Sequence, residues 1–391
     1  MRDKIKLEPV PRARRTEDFV AAFVATFVEL AIFRQRWRQR SGTGAFGTGS
    51  NLSDAGRAHP GPRTPFRAWA SWPVWRWLAA VGLLAGLVLG VGCRTTRQPS
   101  LSGSGFDPTP RLAVVSAFGP ELEKLREQTE ITEVRVIHGR SHYLGRLAGH
   151  RVVLVLSGLS MVNATLTAQT LLDHFAIREI VISGIAGGVN PNLRIGDVTV
   201  PAQWGQYQEQ LFAREIAGGW ETGDWPIDFP NYGMMHPQSV QVTRAGGTPD
   251  AAERRFWFPV DAASLRVVEG ITNSLVLSRG AEEGRKLAAP PRVVVGGRGV
   301  SGPTFVDNAA YRQWVWQTFH ADALDMETDA VATVAYVNRV PFIAFRSLSD
   351  LAGGGAKNEE AAFFGLAAGN SAAVVLSYLR ALDENQLPPA P

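Results

Sequence analysis

Cysteine is nearly absent from this chain. Of 391 residues only Cys93 is one, which excludes an internal disulfide and a cysteine-rich metal site. The seven histidines are scattered, and no zinc centre or other metal site is expected from them. No glycine-rich motif is placed to support a dinucleotide or ATP role, so no cofactor is expected. Apolar runs are short: residues 77–92 make one of 16 residues, marginal against the ~20 that a membrane-spanning helix needs. What is present is ordinary for a globular protein, 45% hydrophobic and 19% charged residues, in a length that suits one large domain.

Charge is unevenly placed. Residues 1–93 hold 14 Lys and Arg against 6 Asp and Glu, while the whole chain is net +4, so the remainder is net −4. An acidic body argues against nucleic acid as a partner. Residues 1–66 are basic, and 41–67 are rich in Gly, Pro, Ser and Arg, a composition that does not fold. They read as an extension, either genuine or the product of a start site placed too far upstream. A basic amphipathic tract on anionic lipid is a third reading. Arg67 and Arg76 precede the apolar run 77–92, and Cys93 follows it. Basic flank, apolar stretch and small residues read as a secretory signal. Residues 67–93 resemble a bacterial lipoprotein signal with Cys93 as the lipidated residue. A plain anchor or uncleaved signal is the alternative.

After a linker at 94–110, residues 111–382 alternate between strand and helix patterns, with a tail at 383–391. Strands are expected at 112–116, 133–138, 143–147, 151–156, 179–185, 197–201, 293–299, 323–326 and 340–345. Helices are expected from 120, and at 160–175, 308–319, 328–339 and 358–382. This alternation predicts an α/β fold: a single-domain three-layer sandwich around a central mixed β-sheet. Residues 203–289 are less regular and rich in Gly, Pro, Trp and Tyr, and read as an insertion. It packs, covers the site as a lid, or contacts a partner.

Residues 324–328 read Leu-Asp-Met-Glu-Thr, and an apolar strand delivers Phe-Arg-Ser-Leu-Ser-Asp at 345–350. Polar side chains released at a strand's carboxyl end are typical of α/β enzyme sites. One carboxylate can grip a sugar diol while a second carboxyl group protonates a leaving base. Two more segments accompany them: Arg-Leu-Ala-Val-Val-Ser-Ala-Phe-Gly-Pro-Glu at 111–121, and Val-Ile-Ser-Gly-Ile-Ala-Gly-Gly at 181–188. In this order the segments resemble the nucleoside phosphorylase superfamily, nearest to the methylthioadenosine/S-adenosylhomocysteine nucleosidases and their storage-protein relatives.

The resemblance implies a set of roles. Asp350 donates a proton to the purine, and Ser349 orients it. Glu327 holds the ribose hydroxyls, with Met326 packed under the sugar. Phe305 stacks on the base, and backbone near Val306 reads its edge. Glu121 activates water. Ala186 and Gly187 let backbone approach the ligand, and Ser157 lines the water and ribose region. Ile185 stands where family members commonly have Ser, which removes a hydroxyl that could hold phosphate or water. Each residue also has a plainer reading: a helix N-cap for Asp350, a solvated first-turn acid for Glu327, a helix start for Glu121, a core aromatic for Phe305. Arg346 either fixes the site or makes a structural salt bridge.

The expected activity is metal-independent hydrolysis of the N-glycosidic bond of a purine nucleoside or thionucleoside. The alternatives are a phosphate-dependent phosphorylase and a non-catalytic, storage-type lipoprotein. The expected partners are a small-molecule purine nucleoside, the membrane through the N-terminal anchor or lipid, and further copies of the chain in a homo-oligomer. Lipidation of Cys93 would place the protein at the cell envelope or in the periplasm; otherwise it is cytoplasmic.

Overall fold

A computed structural model describes residues 105–281, 284–354 and 359–390. The expectations for residues 1–66, for the apolar run and for Cys93 lie outside them. The described residues belong to one compact unit, 94–391.

Strands and helices are interleaved along the chain. Strand β1 (Asp107–Ser116) leads to helix α1 (Gly119–Arg126). The meander β2 (Glu130–Ile137), β3 (Arg140–Leu147) and β4 (His150–Leu156) follows. Helix α2 (Met161–His174) then feeds β5 (Phe175–Gly188). The short strands β6 (Val198–Val200) and β7 (Gln203–Gln206) come next. An excursion carries six three-residue strands: β8 (Gln210–Phe212), β9 (Arg214–Ile216), β10 (Gly219–Glu221), β11 (Met235–Pro237), β12 (Val240–Val242) and β13 (Glu253–Arg255). The chain re-enters the sheet with β14 (Trp257–Pro259), then forms α3 (Ala262–Ile271), β15 (Val293–Val295) and β16 (Arg298–Ser301). It closes with α4 (Ala309–Phe319), β17 (Ala323–Asp325), α5 (Thr328–Asn338), β18 (Phe342–Asp350) and α6 (Glu359–Ala381).

The main sheet runs β14-β7-β16-β17-β5-β1-β4-β3-β2, with β18 joined to β5 and β6, and β15 to β6. It is mixed: β5 is parallel to β1 and β18 but antiparallel to β17. Helices α1, α3 and α6 pack together on one side, and α2 packs on α5 against the other. The three layers follow from the sequence. Strands β1, β4 and β18 are buried on both faces over much of their length, as strands covered by helices on both sides must be.

The structure departs from the expected elements in several places: β1 begins at Asp107, inside the expected linker, and β5 runs from Phe175 to Gly188 rather than over 179–185. The strand expected at 293–299 is two strands, broken at Gly296 and Gly297, whose φ values of 91° and 73° suit only glycine without strain. β15 pairs with β6 and β16 with β7 and β17, so the break transfers the chain across the sheet. The strand expected to stop at Phe345 continues to Asp350. The segment 203–289 is anchored in the fold at both ends: β7 and β14 are main-sheet strands, and α3 packs on α6. Trp204 is fully buried, and Phe229, Tyr232, Phe256, Tyr311, Trp314 and Phe319 form one aromatic cluster. Trp220 and Trp225 remain exposed.

One buried polar cluster lies away from the site. Glu179 of β5 is fully buried and accepts from Ser264 Oγ at 2.5 Å and from Tyr378 OH at 2.8 Å. Burial pushes its carboxyl group up to about 7, against the two hydroxyl donors. A raised folded-state value means that the folded chain holds a proton the unfolded chain releases. The contribution is therefore present below the ordinary glutamate value and is lost as pH rises toward about 7. We expect Glu179→Gln to flatten the fall in stability between pH 5 and 7.5 by about 3 kcal/mol, from ~1.4 kcal/mol per pH unit. Urea unfolding at the two pH values measures it; an unchanged slope would exclude Glu179 as its source.

Candidate active site

The carboxyl ends of β1, β5, β17 and β18 meet around a cavity of about 340 Å³. Beneath it sits Arg346, 1% exposed, in the middle of β18. Three carboxylates face this guanidinium. Asp325 Oδ2 lies 2.7 Å from Nε, Glu121 Oε1 3.7 Å from Nη1, and Glu327 Oε2 3.8 Å from Nη2. All three are at least nine-tenths buried. A buried cation needs such partners, since isolated burial would be prohibitive.

Each acid is held by local backbone. Glu121 lies in the first turn of α1, after Pro120. Its Oε2 accepts from the amides of Ala117 (2.7 Å) and Phe118 (3.2 Å), and its Oε1 from Ile185 N (2.8 Å). The helix-start and site readings thus coincide: the reach back to Phe118 is half of a capping box. Glu327 immediately precedes α5, and its Oε1 accepts from Ser160 N at 2.7 Å. Ser160 holds φ 84°, ψ 154°, a conformation that costs a non-glycine residue energy and clusters at functional sites.

Burial raises both glutamates above the ordinary range, against the Arg346 charge and the backbone donors. Glu327 reaches about 7, helped by the neighbouring charges of Asp325 and Glu121. A carboxylate so placed is a stronger base than a solvated one.

Asp350 ends β18, where a register shift against β5 interrupts the alternation of side chains. Such a bulge re-aims side chains, and here consecutive residues Ser349 and Asp350 both line the cavity. Ser349 Oγ donates to Asp350 Oδ2 at 2.8 Å, and Ala352 N to Oδ1 at 2.8 Å. Asp350 caps no helix: residues 351–354, which follow it, are loop, turn and bend. Met326, Val306, Ala186 and Gly187 also line the cavity, as does Phe305, which is 58% exposed and hence no core residue.

Ser157 is the exception among the described candidates. It is 1% exposed, does not line the cavity, and donates to Gly158 O at 2.9 Å. Its place corrects the expectation that it lines the ribose region: the strand-end turn spends its hydroxyl on its own backbone. Conversely, Phe118, Leu159, Ile185, Thr304, Asp325 and Phe364 line the cavity without having been singled out as binding residues. Asp325 was legible, standing two residues before Glu327; Leu159 and Phe364 carry no motif and are set there by loop and helix geometry. Among the described residues, no group of His, Cys, Asp and Glu could hold a metal ion.

With this geometry in view, comparison with known proteins is specific. The sequence matches the family model of the phosphorylase superfamily over residues 111–380. It is similar to a 5'-methylthioadenosine/S-adenosylhomocysteine nucleosidase of Tolumonas auensis, 29% identical over 273 residues that cover 70% of this chain and all of the relative. The enzyme of that name from Mycobacterium bovis is 30% identical over 242 residues, 61% of this chain and 84% of the relative. Among solved structures, the Neisseria meningitidis nucleosidase in complex with methylthio-immucillin-A has a TM-score of 0.53 and 25% identity. The match covers 69% of this chain and 99% of that one.

Gly184 provides a test of the cluster. A Cβ there would lie 1.9 Å from Arg346 Nη1 and 2.6 Å from Glu121 Oε1. Arg346 cannot swing away, because Asp325 holds it. We expect Gly184→Ala to cost about 1–3 kcal/mol, the usual range for overpacking, measured from the urea midpoint. A neutral substitution would show that the cluster yields readily.

Proposed function

The chain belongs to the phosphorylase superfamily, and on that premise we propose that it is a nucleosidase, hydrolysing the N-glycosidic bond of a purine nucleoside or thionucleoside to base and sugar. The observation that carries hydrolysis over phosphorolysis is the charge of the wall. None of the described residues lining the cavity is Arg, Lys or His, and Arg346 beneath it is already faced by three carboxylates. Among the described residues a phosphate dianion meets no cation on this wall, where phosphate sites ordinarily use Arg. Ile185, another wall residue, brings no hydroxyl.

In the proposed reaction the C1′–N9 bond breaks with its electron pair leaving on the base. Asp350, oriented by Ser349, gives its proton to the base, so that no anion departs. Glu327 accepts hydrogen bonds from the ribose hydroxyls and offsets the positive charge that grows on the sugar. Met326 packs under the sugar and Phe305 over the base, while backbone at Val306, Ala186 and Gly187 fixes the base's position. Glu121 takes a proton from water as its oxygen bonds to C1′. Proton transfer of each kind contributes about 10²–10⁴-fold.

Two coarser features complete the proposal. Leu159, Val162 and Leu166 are exposed at and along α2, which supports self-association. Among the described residues no helix is long and apolar enough to cross a membrane, so the proposed attachment rests on residues 67–93 and Cys93.

The test is base release from a panel of purine nucleosides with and without phosphate. We expect release without phosphate. Release that requires phosphate would make the protein a phosphorylase, and binding with no release would favour the storage-type reading. Asp350→Asn should lower kcat by about 10²–10⁴-fold while nucleoside binding persists; turnover equal to that of the parent would remove Asp350 from its role.

A further inference from the structure

Asp325 spends its hydrogen-bonding capacity inside the protein. Its Oδ1 accepts from Ser301 Oγ at 2.5 Å and from the amides of Glu327 and Thr328, each at 3.2 Å. Its Oδ2 accepts from the Thr328 hydroxyl and pairs with the Arg346 guanidinium, 2.7 Å from Nε. Two carboxylate oxygens offer about four lone-pair positions, and four donors occupy them beside the ion pair. A ribose hydroxyl that reached Asp325 would have to displace one of these. Asp325 lines the cavity at 5% exposure but has nothing left to offer a substrate.

The donors are also informative. Three come from residues 327 and 328, and the ion pair from residue 346; these residues include the ribose carboxylate and the buried cation. The Glu327 amide is pinned from one oxygen while Arg346 is pinned from the other. Thr328 ties the two together, since its Oγ1 also accepts from Arg346 Nε at 2.9 Å. Ser301 fixes the arrangement to β16 and accepts from Asp329 N at 2.8 Å, which secures the first turn of α5.

We propose that Asp325 is the positioning residue of this site: it sets the distance between the Glu327 carboxylate and the Arg346 guanidinium without touching the substrate. Asp325 thereby keeps Arg346 from closing the 3.8 Å gap to Glu327. A closed ion pair there would spend the negative charge that the sugar cation needs. Other charged groups face Glu327 as well: Arg346 from β18, Glu121 from α1 and Asp325 from β17, with Asp350 on the same cavity wall. Of these, Asp325 and Glu121 hold the Glu327 carboxyl group up and Arg346 holds it down. Loss of the Asp325 charge therefore moves Glu327 toward more acidic values, by its own effect and by freeing Arg346.

The inference rests on the nucleosidase reading, and its test separates the two. kcat, KM and the pH profile of base release are measured for the parent chain and for Asp325→Asn, Asp325→Glu and Thr328→Val. In Asp325→Asn we expect kcat to fall about 100-fold, the scale of an ~1 Å misplacement, with KM within about threefold. The acid limb of kcat should shift to lower pH. Asp325→Glu keeps the charge and should leave the limb in place. Thr328→Val removes only the bridging hydroxyl and should lower kcat in the same direction by less, which keeps the test informative if Asp325→Asn does not fold. An Asp325→Asn enzyme with an unmoved limb, or with its loss mainly in KM, would overturn the positioning role. So would a Thr328→Val enzyme indistinguishable from the parent. A parent chain that releases no base would overturn the nucleosidase reading itself, and this proposal with it.

Discussion

The burial of one guanidinium constrains most of this site. Arg346 lies in the middle of a strand covered on both faces, where a cation is tolerated only with partners. Those partners come from two distant parts of the chain: Glu121 from the first turn of α1, and Asp325 and Glu327 from the end of β17 and the turn into α5. Each acid is fastened in turn by backbone amides. The positions of a helix start, a strand end and a loop are thus tied to a single side chain. Gly184 belongs to the same constraint, since the strand beside Arg346 has room for no side chain at that point.

The fold was legible in the sequence where periodicity carries it. Alternating apolar strands and amphipathic helices predict the sandwich, and the observed β1, β4, α2, α4 and α5 lie close to their expected places. The misses have physical causes. Residues 293–299 look like one strand because three valines open the segment and the sequence does not reveal that Gly296 and Gly297 take positive φ. The end of β18 was hidden because Arg, Ser and Asp read as loop residues; they are in the strand because ion-pair and hydrogen-bond partners await them there. The excursion after β7 was hidden because Trp204 and Trp257 pack as sheet residues inside a segment whose composition reads as irregular.

Of the site, the charged residues were legible and the geometry was not. Glu121, Glu327 and Asp350 stand in recognisable surroundings, and the cavity gathers all three. The strand bulge that turns both Ser349 and Asp350 inward depends on a register shift, a relation between two strands that one strand's sequence does not encode. The strained backbone at Ser160 is likewise invisible, since serine is an ordinary residue before a helix. Ser157 was misplaced for the complementary reason. Its position at a strand end is right for a ligand contact, but its hydroxyl turns back to the Gly158 carbonyl.

The arrangement leaves the cluster short of positive charge. One buried cation faces three carboxylates, and burial answers the imbalance by raising Glu121 and Glu327 toward the neutral form. The cluster therefore has room for one more positive charge. A sugar that becomes cationic as its base departs can supply the same charge, at the place where the carboxylates already point. At an effective dielectric of ~20, a unit charge about 4 Å from a carboxylate is worth about 4 kcal/mol. That attraction grows only as the bond breaks, so it lowers the barrier rather than tightening the bound substrate. The same imbalance that makes the empty site costly to bury therefore suits it to a cationic transition state. It also explains why a phosphate dianion is poorly matched to this cavity: it would add negative charge where the protein already has an excess.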